Sequence, residues 1–326
     1  MIRLTAALGG VTLLVAAPRN LAPSKQGTVL VERFFAASLG VTKHYLVYLP
    51  PSYTSAPTRR YPVAYYLHGL SGSESDWLSL ADIDIIADSL IARGMPEMIL
   101  VMPDGDDGWY TNWVTQRGYD DCARGAASNR AAPTYCVKRP RYDDYIAGDL
   151  VGHVDSTYRT LADRRHRGIA GLSMGGYGAV ILALAHSDRF AVAASHSGVL
   201  SPMYGGAHPF APPVRYINSI DTLEIAWGGV WRSVAPAFGS SIASWEARDP
   251  AHRARSLTAK GDPVPALFLD VGTEDGLADQ SRAFHAELTS LGIAHAYAEW
   301  PGKHDWAYWH AHVGESMQWL AERIRP

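Results

Sequence analysis

Short apolar runs recur along the chain at His44–Leu49, Pro62–Leu67, Met98–Met102, Gly168–Gly171, Phe190–Ala194, Ala266–Val271 and His295–Trp300. Each is too short for a stable helix and rich enough in aliphatic and aromatic residues to read as a buried strand. Between them the apolar positions change to a helical period. Over Asp82–Arg93, Ile83, Ile86, Ala87, Leu90 and Ile91 share one face and Gly94 supplies the stop. Further helices are expected over about Tyr142–Thr160, Gly175–His186, Asp279–Leu291 and Trp306–Ile324. Gly27–Pro50 differs, because two β-rich stretches flank Ser38-Leu39-Gly40 and so predict a hairpin. The alternation predicts an α/β fold: a mostly parallel central sheet with helices on both faces and an N-terminal antiparallel hairpin. Its ligand crevice should lie beyond the carboxyl ends of the strands.

Two segments interrupt the pattern. Residues 115–141 are polar and hold both cysteines of the chain, Cys122 and Cys136. A disulfide between them would close a loop of about 15 residues and pin the insertion, by on the order of 3 kcal/mol at most. Residues 201–249 lack periodicity and are rich in Gly, Pro and Trp, which reads as an insertion over the crevice, a lid. No repeat, low-complexity tract or linker divides the remainder, so 27–326 is expected to be one catalytic domain. Residues 1–26 have the form of a leader. Arg3 precedes an apolar run from Leu4 to Ala17 that ends in small residues, as in a secretory signal peptide. The run falls short of the roughly 20 residues that span a bilayer, so the expectation is a secreted or periplasmic protein without a stable membrane anchor. The alternative is a frayed extension on a cytoplasmic protein.

With 326 residues and 47% hydrophobic content, the chain can fill a sizeable core. Its formal net charge of -3 offers no basic field for phosphates, which argues against nucleic acid as a partner. The 10 Trp and 17 Tyr would suit a small organic or sugar substrate if some of them meet at a cleft, with Trp77, Trp113 and Trp306 as candidate walls. Oligomeric state is not legible in the sequence.

The chemistry centres on Gly171-Leu172-Ser173-Met174-Gly175, placed between a strand and a helix. Glycines around a serine can be ordinary turn chemistry. In this position they also form a nucleophile elbow, a strained turn that holds the serine exposed at the top of the sheet. A serine hydroxyl needs a base to take its proton, and the base needs an acid to fix its tautomer. The strand Ala266–Val271 runs into Gly272-Thr273-Glu274-Asp275-Gly276, and the next, His295–Trp300, runs into Pro301-Gly302-Lys303-His304. The order serine, acid, histidine fits Ser173, Asp275 and His304, with Asp270 and Glu274 as competing acids. An acid on the loop reaches the next loop more easily than one still in the strand, which favours Asp275. Oxyanion donors are expected from the amides of Met174, after the nucleophile, and Leu70, in the loop His68-Gly69-Leu70 after an earlier strand.

Other patterns carry less. Asp104-Gly105-Asp106-Asp107-Gly108 resembles a calcium loop, but Thr115 stands where the bidentate Glu belongs. His310 and His312 sit two apart on a helix and cannot share one metal ion. Gly176 and Gly178 lack the rest of a dinucleotide fingerprint. Ser197 has no elbow around it and reads as lining. No metal and no organic cofactor is expected.

Six separated motifs, VYLPPSY (47–53), YLHGLSG (66–72), YIAGDL (145–150), GLSMGGYGA (171–179), VGTEDGL (271–277) and GKHDWAYW (302–309), together resemble the esterase D family of α/β-hydrolases. That family includes S-formylglutathione hydrolases, tributyrin-type and feruloyl esterases, and mycolyltransferases. The resemblance implies the α/β-hydrolase fold, Ser173 as nucleophile, Asp275 as acid, His304 as base, and Leu70 and Met174 as oxyanion donors. It implies a serine carboxylesterase acting on short-chain or aryl, feruloyl-type esters through an acyl-enzyme, without cofactor. The rivals are a secreted acyltransferase of mycolyltransferase type and a non-catalytic cell-surface binding protein on the same scaffold. The leader, the cysteine-bearing insertion and the segment around Trp227 and Trp231 depart from the cytosolic formylglutathione enzymes.

Overall fold

The computed structural model describes residues 26–115 and 136–326. The leader up to Lys25, Cys122 and most of the 115–141 insertion lie outside the described residues, while Cys136 is fully buried. Eight strands form one sheet in the order β1-β2-β4-β3-β5-β6-β7-β8. They are β1 (Thr28–Ala36), β2 (Val41–Leu49), β3 (Val63–Leu67), β4 (Ile99–Pro103), β5 (Arg167–Leu172), β6 (Val192–His196), β7 (Ala266–Gly272) and β8 (His295–Trp300). The β1–β2 hairpin is antiparallel, β2 pairs antiparallel with β4, and the pairings from β4 through β8 are parallel. This is the α/β-hydrolase arrangement expected from the sequence.

β5 is central and every residue in it is buried, as a parallel strand covered on both faces requires. Ile169 joins the core on one side of the sheet with Tyr177, Val180 and Leu184, whereas Ala170 and Leu172 join the other with Ala87, Val313 and Met317. The alternation of side chains along one strand thus builds two cores. Helix α1 (Ile83–Ala92), the short α2 (Val151–Thr157) and α3 (Met174–Ala185) follow the expected pattern. So do the helices Ala278–Ser290 and Trp306–Ile324 later in the chain.

Several elements differ from the sequence reading. β6 starts at Val192 rather than Phe190, because Phe190 closes a turn on His186 and is buried in the core before the strand begins. The helical stretch from Tyr142 ends at Thr157 and contains a π-helical segment, Tyr145–Leu150. The insertion 201–249 is itself helical, with α4 (Ile220–Trp227), α5 (Trp231–Phe238) and α6 (Ile242–Glu246). A further helix, α7 (Pro250–Lys260), lies outside the sequence expectations. Its end signals are present: Asp249 caps the His252 amide, Pro250 opens the helix, and Gly261 closes it at φ 71°. Its buried face, however, is only Pro250, Ala251 and Ala254, too weakly hydrophobic to reveal a period. The later helices are α8 (Ala278–Ser290) and α9 (Trp306–Ile324).

Candidate active site

β5 ends at Leu172, α3 starts at Met174, and Ser173 between them sits at φ 54°, ψ −118°. That conformation is strained for a residue with a side chain and projects the hydroxyl off the end of the sheet. The turn is held by the Ser173 amide donating to His196 O at 2.9 Å and the Tyr177 amide donating to Ser173 O at 3.0 Å. The flanking glycines are sterically required. A Cβ on Gly171 would stand 2.3 Å from Gly175 O, and one on Gly175 would stand 2.3 Å from Leu67 O. Both obstacles are backbone and cannot swing away. Gly175→Ala is therefore expected to lower stability by about 1–3 kcal/mol or more through overpacking, and to displace Ser173 as the turn opens. Denaturant titration and ester turnover of the same preparation check this, and wild-type stability would contradict it.

Two loops from the next strands converge on Ser173. His304 Nε2 lies 2.9 Å from Ser173 Oγ, and His304 Nδ1 lies 2.9 and 3.1 Å from the two oxygens of Asp275. Since an ionised carboxylate only accepts, Nδ1 carries the proton and leaves Nε2 able to accept from the serine. The Asp275 side chain is fully buried whereas that of His304 is 35% exposed. Burial by itself would raise the Asp275 carboxyl. The hydrogen bonds from His304 and from the Leu277 amide outweigh it and hold the carboxyl below its ordinary value. The loops are fastened to each other by the Thr273 amide on Trp300 O at 2.8 Å and the Glu274 amide on Gly302 O at 2.9 Å.

The competing acids are placed elsewhere. Glu274 is exposed, and Asp270 is fully buried beneath the site, accepting from Tyr308 OH at 2.9 Å.

Leu70 lies in the loop after β3, and Gly69 brings that loop against the elbow: a Cβ there would be 3.4 Å from Ser173 Cβ. His68 fixes the loop from behind. Its Nε2 accepts from the Gly105 amide at 2.9 Å, so its Nδ1–H donates to Gly69 O at 2.8 Å. Among the described residues the amides of Leu70 and Met174 meet no acceptor, which leaves both available beside Ser173. Met174 also opens α3, whose N-terminus favours negative charge.

Ser173 and His304 open into a cavity of about 690 Å³. Of the three tryptophans proposed as walls from the sequence, Trp306 lines it. Trp77 does not: it is 1% exposed, its Nε1–H donates to Leu67 O, and its ring packs edge-on against Tyr66 and Trp306. Trp113 is also outside the wall, turned onto Tyr142 with its Nε1–H on Gly108 O. The aromatic walls that the sequence reading missed are Trp109, Trp227 and Trp309. Trp227 comes from α4, and Tyr204 and Val230 join it, so the 201–249 insertion roofs the cavity as a lid would. Nothing in the local sequence distinguishes these tryptophans from the packed ones, since each sits in an apolar or irregular stretch.

The Esterase family model matches residues 36–320. An esterase of Mycobacterium tuberculosis is 30% identical over 282 residues, which cover 83% of this chain and 54% of that protein. The chain thus spans about half the length of that curated relative. Among solved structures, a ferulic acid esterase superposes with a TM-score of 0.67 at 24% identity, covering 91% of this chain and 98% of that one. The fluorophosphonate-binding serine hydrolase F of Staphylococcus aureus superposes at 0.68 and 22% identity, covering 91% and 99%. At these identities the structural likeness speaks for the fold.

Proposed function

The chain belongs to the esterase family, and from that premise we propose that it is a serine carboxylesterase acting on short-chain or aryl esters through an acyl-enzyme. The observation that carries this reading is the unbroken line Ser173 Oγ, His304, Asp275, with contacts of 2.9 Å on each side of the imidazole. Ser173 Oγ attacks the ester carbonyl carbon while its proton passes to His304 Nε2. The developing oxyanion faces the Leu70 and Met174 amides. His304 returns the proton to the departing alcohol, leaving the acyl group on Ser173. Water then attacks the acyl carbon, giving its proton to His304, and the acid leaves as Ser173 Oγ regains a proton. Asp275 stays ionised throughout and stabilises the imidazolium.

Four tryptophans and Tyr204 line the cavity, which favours uncharged acyl or aryl groups that can stack. We further propose that residues 27–326 act as one catalytic domain and that the leader directs the protein to the periplasm or the exterior. Among the described residues no helix is long and apolar enough to cross a membrane.

A chain-length series of nitrophenyl esters and a feruloyl ester, with and without trehalose as acceptor, tests the proposal. Hydrolysis should dominate, with the best turnover on short or aryl acyl groups. A product mostly acylated on trehalose would replace hydrolysis by transfer. Absence of fluorophosphonate labelling on folded protein would leave a binding protein in place of an enzyme.

A further inference from the structure

Beneath the site, the ends of β6 and β7 and the helix α9 share a sealed polar cluster. Asp270, His196 and Ser316 are all fully buried, and none of them lines the cavity. Tyr308 OH donates to Asp270 Oδ1 at 2.9 Å. Asp270 Oδ2 lies 2.7 Å from His196 Nδ1, close but out of line for a hydrogen bond. His196 Nε2 lies 2.7 Å from Ser316 Oγ. A second serine, histidine and aspartate thus stand under the first set, out of reach of any substrate.

Burying a carboxylate costs free energy, and well-packed apolar side chains commonly stabilise such a position as well or better. What a polar cluster adds is direction. Tyr308 follows His304 by four residues, and the start of the same loop lies against its ring: a Cβ on Gly302 would stand 2.5 Å from Tyr308 Cδ2. The Tyr308 amide donates to Asp305 Oδ1 at 3.0 Å, which caps α9. The rest of the loop is exposed at Pro301, Lys303, His304 and Asp305, and the imidazole is backed edge-on by Trp309 at 5.0 Å, the residue next to Tyr308 in α9, so the seat of Tyr308 also sets that backing. Burial and the adjacent Asp270 carboxylate raise the Tyr308 hydroxyl far above its ordinary value, so it remains a donor at any working pH. The same cluster reaches the nucleophile, since the carbonyl of His196 accepts from the Ser173 amide.

We propose that Tyr308 and Asp270 are positioning residues, whose mutual hydrogen bond sets the loop 301–305 so that His304 meets Ser173. This rests on reading Ser173 and His304 as the reacting pair. Tyr308→Phe tests it by removing one oxygen while keeping the ring under Gly302. Its kcat on a short-chain nitrophenyl ester should fall roughly tenfold or more with KM held within about twofold, the signature of lost alignment. The low-field proton resonance of the His304–Asp275 pair should broaden or move. A folded Tyr308→Phe with kcat within about twofold of wild type, or with that resonance unchanged, overturns the proposal. Should Tyr308→Phe fail to fold, Asp270→Asn keeps the shape of the acid and is judged by the same two readouts. An inactive wild type, or a fully active Ser173→Ala, would instead strike the assignment of the reacting pair, so the two failures are distinguishable.

Discussion

Ser173→Ala is expected to lose ester turnover by about a million-fold while the protein remains folded, because a triad acting as a unit loses nearly all of its effect with its nucleophile. The residual rate should reflect binding and the oxyanion donors alone. Folding should be little affected. Alanine keeps the Cβ, so the strained backbone at φ 54° is neither relieved nor worsened, and among the described residues the removed oxygen is hydrogen-bonded only to the partly exposed His304. Turnover of a nitrophenyl ester, read beside thermal unfolding of the same sample, checks both parts. A variant with more than about 1% of wild-type turnover would be far above the residue expected from binding and oxyanion donors, and would mean that another group attacks the ester.

Asp275→Asn should cost roughly ten-thousand-fold in kcat, the scale seen when a triad histidine is held in the wrong tautomer. The reason is local. An amide nitrogen facing His304 Nδ1 would donate where the carboxylate accepts at 2.9 Å, and so would push the imidazole proton toward Nε2, where it blocks acceptance from Ser173. The variant also carries a stability signature with a definite sign. Asp275 is held below its ordinary value in the folded state, so its contribution is present above the ordinary carboxylate range and is lost as pH falls through the lowered folded value. Asparagine cannot ionise. The wild type should therefore shed an increment of stability on acidification that Asp275→Asn lacks, and Tm measured against pH compares the two directly. Equal acid sensitivity would mean that the Asp275 carboxylate contributes nothing to folding.

The elbow was legible because its physics is local: a strand, five residues with glycines at fixed offsets, then a helix. The partner loops were legible because chain order and strand ends place Asp275 and His304 at the same rim of a parallel sheet. The cavity walls were not. Trp77 and Trp306 each follow an aspartate in the sequence and even touch each other, yet one faces the core and the other the cavity. α7 escaped detection for a related reason, since Ala251 and Ala254 are small enough to pack closely without marking a hydrophobic face.

By itself, then, the amino-acid order determined the strand and helix alternation, the strained serine and the two loops that could answer it, because steric demands and periodicities act over a few residues. Tertiary structure alone decided which tryptophans border the substrate space, and that Asp270 and Tyr308 meet beside His196 and Ser316 in a sealed cluster beneath it. Those outcomes depend on which side of the sheet and which depth a side chain occupies once distant elements have packed, and no spacing along one chain encodes that depth.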